Sequence, residues 1–497
     1  MSAPPADTSP TPASGGRPRA VAPLVAVIFA LLVIAVVIRL AQAGLAVLSP
    51  YEIGYGETQV RLAAEAFARG EALYPPLEGA PCRVLNYPPF YPALAALFTR
   101  LLGPGFAPGR ILSWLACLAT ALLLGALVRR ETRRLDAALL AGGLYLASWN
   151  VDNVGHHYRI DSLAVMLSVC GLALALRTGP ARWAGAICLV LALLTRQSAV
   201  AAGAAVVVWL AWRGERRGAV GLGALWIGLS LLAYAALTLA TGGRFLTQAV
   251  LMLRTGWDPL RVLGFWGDFV RFYPALLALG AVAAMAQWRR DGRPDPFVLF
   301  TVFAAVVSLS VGKSGSGENY FLEPLAGLCL LTGVAWARLA EGAAARPLVG
   351  ALLVVQLLVM MPSPRFDADQ AAVLRAQRDQ ISALLPPAPA PVLSEDPGIL
   401  LANGRTVWLL PYACTQAAVQ GRWDQAPLVR EIEAGSFALI ILQFDPWAAA
   451  PARDGTYQYG RFTSEMVEAL RARYRPVRQV GYYLLLAPAE GPSSAPH

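Results

Sequence analysis

Charge is scarce in this sequence. Asp, Glu, Lys and Arg make up 14% of the 497 residues, against roughly 25% in a soluble globular chain. That scarcity, with 57% hydrophobic residues and a mean hydropathy of +0.52, excludes an ordinary soluble domain and points to a chain whose solvent is largely lipid. Lysine is nearly absent, Lys313 being the only one among 41 basic residues. The six cysteines (Cys82, Cys117, Cys170, Cys188, Cys329, Cys414) have no zinc or redox spacing. A phosphate-binding loop is missing too: Gly312-Lys313-Ser314 has Val307 where that motif needs a glycine. No fixed-period repeat is present.

What is abundant is the long apolar run. Residues 1–20 form a Pro/Ser/Ala-rich tail, expected to be disordered and cytoplasmic, and a retained first helix is expected from Val21 to Ile38. Further apolar runs lie at 109–128, 135–151, 160–176, 183–195, 198–212, 219–240, 269–288, 297–312, 321–339 and 347–361. Together they predict a polytopic α-helical membrane protein with about eleven transmembrane helices. The runs 183–195 and 198–212 meet at Thr195-Arg196-Gln197 and read either as two short helices or as one long one. The net charge of +10 sits mostly in arginine clusters between runs, at 129–134, 177–182, 213–218, 289–296 and 340–346. These alternate with mostly longer, mixed connections at 42–108, 152–159, 241–268 and 313–320. That is the positive-inside pattern, so topology explains the charge and no nucleic-acid partner is expected. It predicts a cytoplasmic N-terminus in a bacterial inner membrane and leaves Cys82 and Cys414 on one side, where they could pair. From about residue 362 the texture changes to short apolar runs and charged helical stretches, 427–434 and 464–474. A small extracytoplasmic α/β domain over 362–497 is expected, after a membrane domain over 21–361.

The polar residues of the outer connections are the candidates for chemistry. Glu52 and Glu57 lie five apart after the first helix, where a carboxylate can accept a proton from a hydroxyl or hold a cation. Arg159-Ile160-Asp161 opens a helix, and charges at a membrane-facing helix start are expensive unless paired or functional. Asp161 also suits a helix N-cap. Arg196 falls on the outer side, against the charge trend, where a guanidinium can grip a lipid phosphate. Lys313 offers a compact ammonium in a Gly/Ser loop, with Asn319 at the same rim.

The layout resembles the GT-C glycosyltransferases, the polyprenyl-phosphate-sugar-dependent family that includes protein mannosyltransferases and lipid A aminoarabinose transferases. The resemblance rests on the acidic pair after helix one, Ala64-x5-Gly70-x3-Tyr74, Tyr87-Pro88-Pro89-Phe90-Tyr91, Arg159-Ile160-Asp161 and Leu193-Leu194-Thr195-Arg196-Gln197. Tyr87 stands where the aminoarabinose branch often has Lys, and Arg196 where the family has Lys. The resemblance implies an inverting transfer of a sugar from a polyprenyl-phosphate donor to a lipid, glycan or protein acceptor at the outer face. It implies Glu57 as catalytic base aided by Asp161, Arg196 and Lys313 at the donor phosphate, and Glu52, Arg159, Tyr87 and Asn319 as substrate-binding residues. A divalent cation, Mg2+ or Mn2+, could be held by Glu57, Asp161 and His157. A secondary transporter or a non-catalytic assembly protein are the rival readings; the crowding of charge on one face and the missing half-repeat weigh against the transporter.

Overall fold

The computed structural model describes residues 21–339, 345–361 and 364–489. The tail expected over 1–20 and most of the 340–346 connection lie outside the described residues.

Apolar runs this long must satisfy their own backbone groups, and they do so as helices packed around a large hydrophobic core and a smaller one beside it. Among the described residues four helices are long and apolar enough to cross a membrane: Pro23–Leu48, Ala107–Thr132, Arg216–Ala240 and Glu318–Arg338. A fifth span is possible if Pro259–Phe272 and Pro274–Asp291, which meet at 87°, are taken as one. Eight further apolar helices run 10–17 residues. Small residues let them pack closely. Where Asp161–Ala175 packs on Pro180–Thr195, a Cβ on Gly185 would lie 2.5 Å from the Ala175 nitrogen.

Several boundaries differ from the sequence expectation, each for a local reason. The first helix runs to Leu48, past Arg39, because that guanidinium is buried in an ion pair with Asp152. The stretch 183–212 forms two helices, Pro180–Thr195 and Ala201–Trp212, separated by an extended Arg196. Within the expected loop 42–108 are two helices, Glu57–Ala68 and Phe90–Leu102. Pro274 separates the unexpected helix Pro259–Phe272 from the expected span beyond it, since its ring cannot continue the hydrogen-bond ladder.

Three of the five arginine-rich connections gather together. Arg130, Arg213, Arg290 and Arg293 line one cavity, while residues from all four opposite connections gather around another.

The C-terminal segment carries a four-stranded sheet of β1 Val392–Ser394, β2 Leu439–Leu442, β5 Tyr474–Val480 and β6 Tyr483–Pro488, in the order β1-β2-β6-β5. The β1–β2 pair is parallel and the others antiparallel. Thr456–Tyr457 (β3) and Phe462–Thr463 (β4) form a separate hairpin. Helices Ala426–Glu433 and Ser464–Arg473 occupy the expected helical stretches. The core under this sheet also takes in Tyr51, Cys82, Val84 and Met252 from the connections between the bundle's helices. Cys82 is bonded to Cys414.

Candidate active site

Two adjoining cavities lie where the loops meet the C-terminal segment. The larger, about 130 Å3, is lined by Tyr87, Arg159, Asp161, Arg196, Lys313 and Asn319 among others. The smaller, about 70 Å3, holds Glu52, Tyr55, Thr58 and Gln59. Asn86, Tyr87, Arg159, Gly315, Tyr412 and Ala413 line both.

The larger cavity is cationic by construction. Arg196 sits at the break between two helices, 7% exposed. Its Nε lies 3.5 Å from Asp161 Oδ1, its Nη1 donates to the Asn319 carbonyl at 3.3 Å, and its guanidinium stacks 4.2 Å from the Tyr320 ring centre. Its Nη2 is buried with no hydrogen-bond partner. Arg159 Nε lies 3.2 Å from Asp161 Oδ2. Lys313 forms no ion pair among the described residues, and its backbone is held by a bridge to Trp257. Three cations thus face one carboxylate, and a buried guanidinium edge is left without an acceptor. A buried donor left unmatched is costly, and an anionic oxygen is the natural group to match it.

Asp161 is itself saturated. Its Oδ1 also accepts from Asn319 Nδ2 at 2.7 Å, so its carboxylate aligns two arginines and an amide. It is the first residue of its helix, whose N-cap is Ile160; the capping role expected for Asp161 does not form.

The two loop glutamates part company. Glu57 is fully buried, and its carboxylate is clamped by Arg110 through Nε (2.9 Å) and Nη2 (2.7 Å). It also accepts from the amides of Ile53 (2.8 Å), Gly54 (3.4 Å) and Tyr158 (2.6 Å). Burial alone would raise its pKa, yet Arg110 holds it down at about 2. It lines neither cavity. Arg110 in turn donates to the carbonyls of Ala46, Ser49 and Tyr51, so the pair staples the first loop to the start of helix Ala107–Thr132. Sequence reading passed over Arg110, although an arginine in the first turn of an apolar span signals a buried partner.

Glu52 faces the smaller cavity. Its protein donors are the Thr58 hydroxyl (2.6 Å) and, more distantly, the Thr58 amide (3.5 Å). Burial, the Asp396 carboxylate and Glu57 push it up to about 7, against the Thr58 bonds. A carboxylate poised there can take a proton near neutral pH.

The expected cation ligands do not fit together. Glu57 is occupied by Arg110 and Asp161 by two arginines, and among the described residues no three His, Cys, Asp or Glu converge as a metal site. His157 packs edge-on to His156, and burial, helped by Arg159 and Arg110 against Glu57, lowers its pKa to about 4.

The helical bundle with its loops and C-terminal segment is a fold that solved structures share. The family described as dolichyl-phosphate-mannose-protein mannosyltransferase matches residues 86–240. Among solved structures the chain is similar to ArnT from Cupriavidus metallidurans bound to undecaprenyl phosphate, with a TM-score of 0.56 at 16% identity over 94% of this chain and 97% of that one. The apo form of ArnT gives a TM-score of 0.53 at 16% identity, over 92% and 97%. Comparison with curated protein sequences finds no match.

Proposed function

We propose that this chain is a glycosyltransferase that moves a sugar from a polyprenyl-phosphate donor to an acceptor hydroxyl at the outer face of a bacterial inner membrane, inverting the anomeric centre. The observation that carries the reading is the cavity of Arg159, Arg196 and Lys313 around one already-paired carboxylate, adjoining a chamber that holds Glu52. The fold it shares with a structure bound to undecaprenyl phosphate supports the same donor class.

In this reading Arg196 Nη2 and Lys313 Nζ take the phosphate oxygens of the donor. Glu52 takes the proton of the acceptor hydroxyl, whose oxygen attacks the anomeric carbon from the side opposite the phosphate. The bond between that carbon and the phosphate oxygen breaks, and the electron pair leaves with the polyprenyl phosphate, where the cations stabilise the charge. A single displacement inverts the centre. Glu57, assigned the base from the loop layout alone, serves here as the anchor of the loop, and Asp161 as the brace of the arginines.

Release of polyprenyl phosphate from a radiolabelled lipid-linked sugar by the purified protein tests the reading, and no release from any member of a donor panel sinks it. Arg196→Ala should weaken undecaprenyl phosphate binding about 10–100-fold, the worth of a hydrogen bond to a charged group. Arg196→Lys should keep part of it, because the charge survives and the fork does not. Equal, mild losses would mean that Arg196 only lines the cavity. In the same reading the N-terminus is cytoplasmic and residues 362–497 form an extracytoplasmic domain above about eleven spans, a topology that the arginine-rich connections support. Single cysteines at positions 131 and 216 should label from inside and at 455 from outside; inside labelling at 455 overturns that orientation.

A further inference from the structure

Tyr412 lines both cavities although it lies more than 300 residues along the chain from Glu52 and Tyr55. Its ring occupies a slot made by two glycines, each in the left-handed region. A Cβ on Gly315 (φ +78°) would fall 2.4 Å from the ring, and one on Gly460 (φ +82°) would fall 3.3 Å from it. Any other residue at Gly315 would both strain the backbone and drive the ring out. The Tyr412 amide donates to the Tyr55 hydroxyl at 2.7 Å, and its own hydroxyl lies 3.4 Å from Ser314 Oγ. Its backbone is therefore held from the first loop, and its ring from the Lys313–Ser316 turn and from its own segment.

The helix that carries it, Pro411–Val419, is fastened in place. Two residues on, Cys414 is bonded to Cys82 of the first loop. The Cys82 amide donates to the Trp408 carbonyl (3.0 Å), Trp423 Nε1 to the Gly79 carbonyl (2.8 Å) and Gln420 Nε2 to the Met252 carbonyl (3.1 Å). A segment that merely rode on the bundle would need neither a covalent tie nor a core shared with the loops.

We propose that Tyr412 is the partition between the cationic cavity and the Glu52 chamber, so that the C-terminal segment completes the site and governs access to Glu52. The role assigned to Glu52 rests on the glycosyltransferase reading above; the position of the partition does not. Tyr412 is a positioning residue: it shapes the path of the acceptor and takes no part in bond making.

Two readouts on the full chain in nanodiscs separate the two ideas. The first is modification of Glu52 by a water-soluble carbodiimide and glycine ethyl ester, mapped by mass spectrometry. The second is binding of undecaprenyl phosphate. Tyr412→Ala should raise the Glu52 modification rate at least about tenfold, as expected when a local barrier to opening is lost, and should leave undecaprenyl phosphate affinity within about threefold because the cations stay in place. Tyr412→Phe should keep Glu52 protected. If Tyr412→Ala fails to retain the Cys82–Cys414 bond, Gly315→Ala decides, since it displaces the ring from the opposite wall and should also expose Glu52. Glu52 reacting at the wild-type rate in both Tyr412→Ala and Gly315→Ala overturns the partition. A wild-type protein that protects Glu52 yet binds no undecaprenyl phosphate overturns the glycosyltransferase reading and leaves the partition standing.

Discussion

Replacing Glu52 with Gln is expected to cut sugar transfer by about 10²–10⁴-fold, the range that general base catalysis supplies, while undecaprenyl phosphate binding and the Cys82–Cys414 bond persist. Gln keeps the size of the side chain and can still accept from the Thr58 hydroxyl, which lies 2.6 Å from the carboxylate, but it cannot take a proton. With Glu52 pushed up to about 7, the wild-type rate should rise with pH and level off above that value, and the rise should vanish in the variant. Stability should run the opposite way. A carboxyl whose folded pKa is raised stabilises the fold below its ordinary value of 4.5 and loses that contribution as pH rises through about 7. Glu52→Gln should therefore be at least as stable as wild type at alkaline pH. A variant that transfers sugar at the wild-type rate removes Glu52 from the chemistry.

The helical fold and the whereabouts of the candidate site are legible in the sequence because both are written in hydropathy and in charges at unusual places. Arg159, Asp161, Arg196, Lys313 and Asn319 stand out as polar groups at helix ends on one side, and the structure collects them around one cavity. The difference in surroundings that leads us to propose Glu52 over Glu57 is not local. It is made by Arg110, 53 residues beyond Glu57, and by the Asp396 carboxylate near Glu52, neither of which the loop's own pattern reveals. Tyr412 is equally invisible: a pairing of Cys82 with Cys414 can be entertained from the sequence, but not that it sets the neighbouring ring against Gly315 and Gly460. Periodicity describes what one helix does with its own faces; it is silent on which distant segment closes a cavity. The short helices stay ambiguous for a related reason: Pro180–Thr195 and Ala201–Trp212 are apolar over most of their length, and only the packed structure shows that the chain breaks at Arg196 rather than running on as one helix.

Removing Arg110 should be the most destabilising single change outside the two cavities. Both Arg110 and Glu57 are completely buried, and Arg110→Met would leave a carboxylate with amide donors but no counter-charge. Breaking a buried ion pair from one side costs about 3–5 kcal/mol, enough to consume a large share of the stability of an ordinary domain. The loss should show as a large fall in the thermal midpoint, together with disorder of the first loop, because Arg110 also gathers the carbonyls of Ala46, Ser49 and Tyr51. Glu57→Gln should lose less, since its amide oxygen can still accept from the Arg110 guanidinium. Glu57→Gln combined with Arg110→Met should recover part of the loss, because the double change removes both charges and leaves no unpaired one. With Glu57 held at about 2, the contribution of the pair is present above the ordinary carboxyl value of 4.5 and is lost as pH falls through about 2, so the gap between wild type and Arg110→Met should narrow in acid. Transfer should fall in Arg110→Met only as the folded fraction falls, whereas Glu52→Gln loses turnover with the fold intact. An Arg110→Met protein that melts with wild type would mean that the loop is anchored by its other contacts and that the buried pair is dispensable.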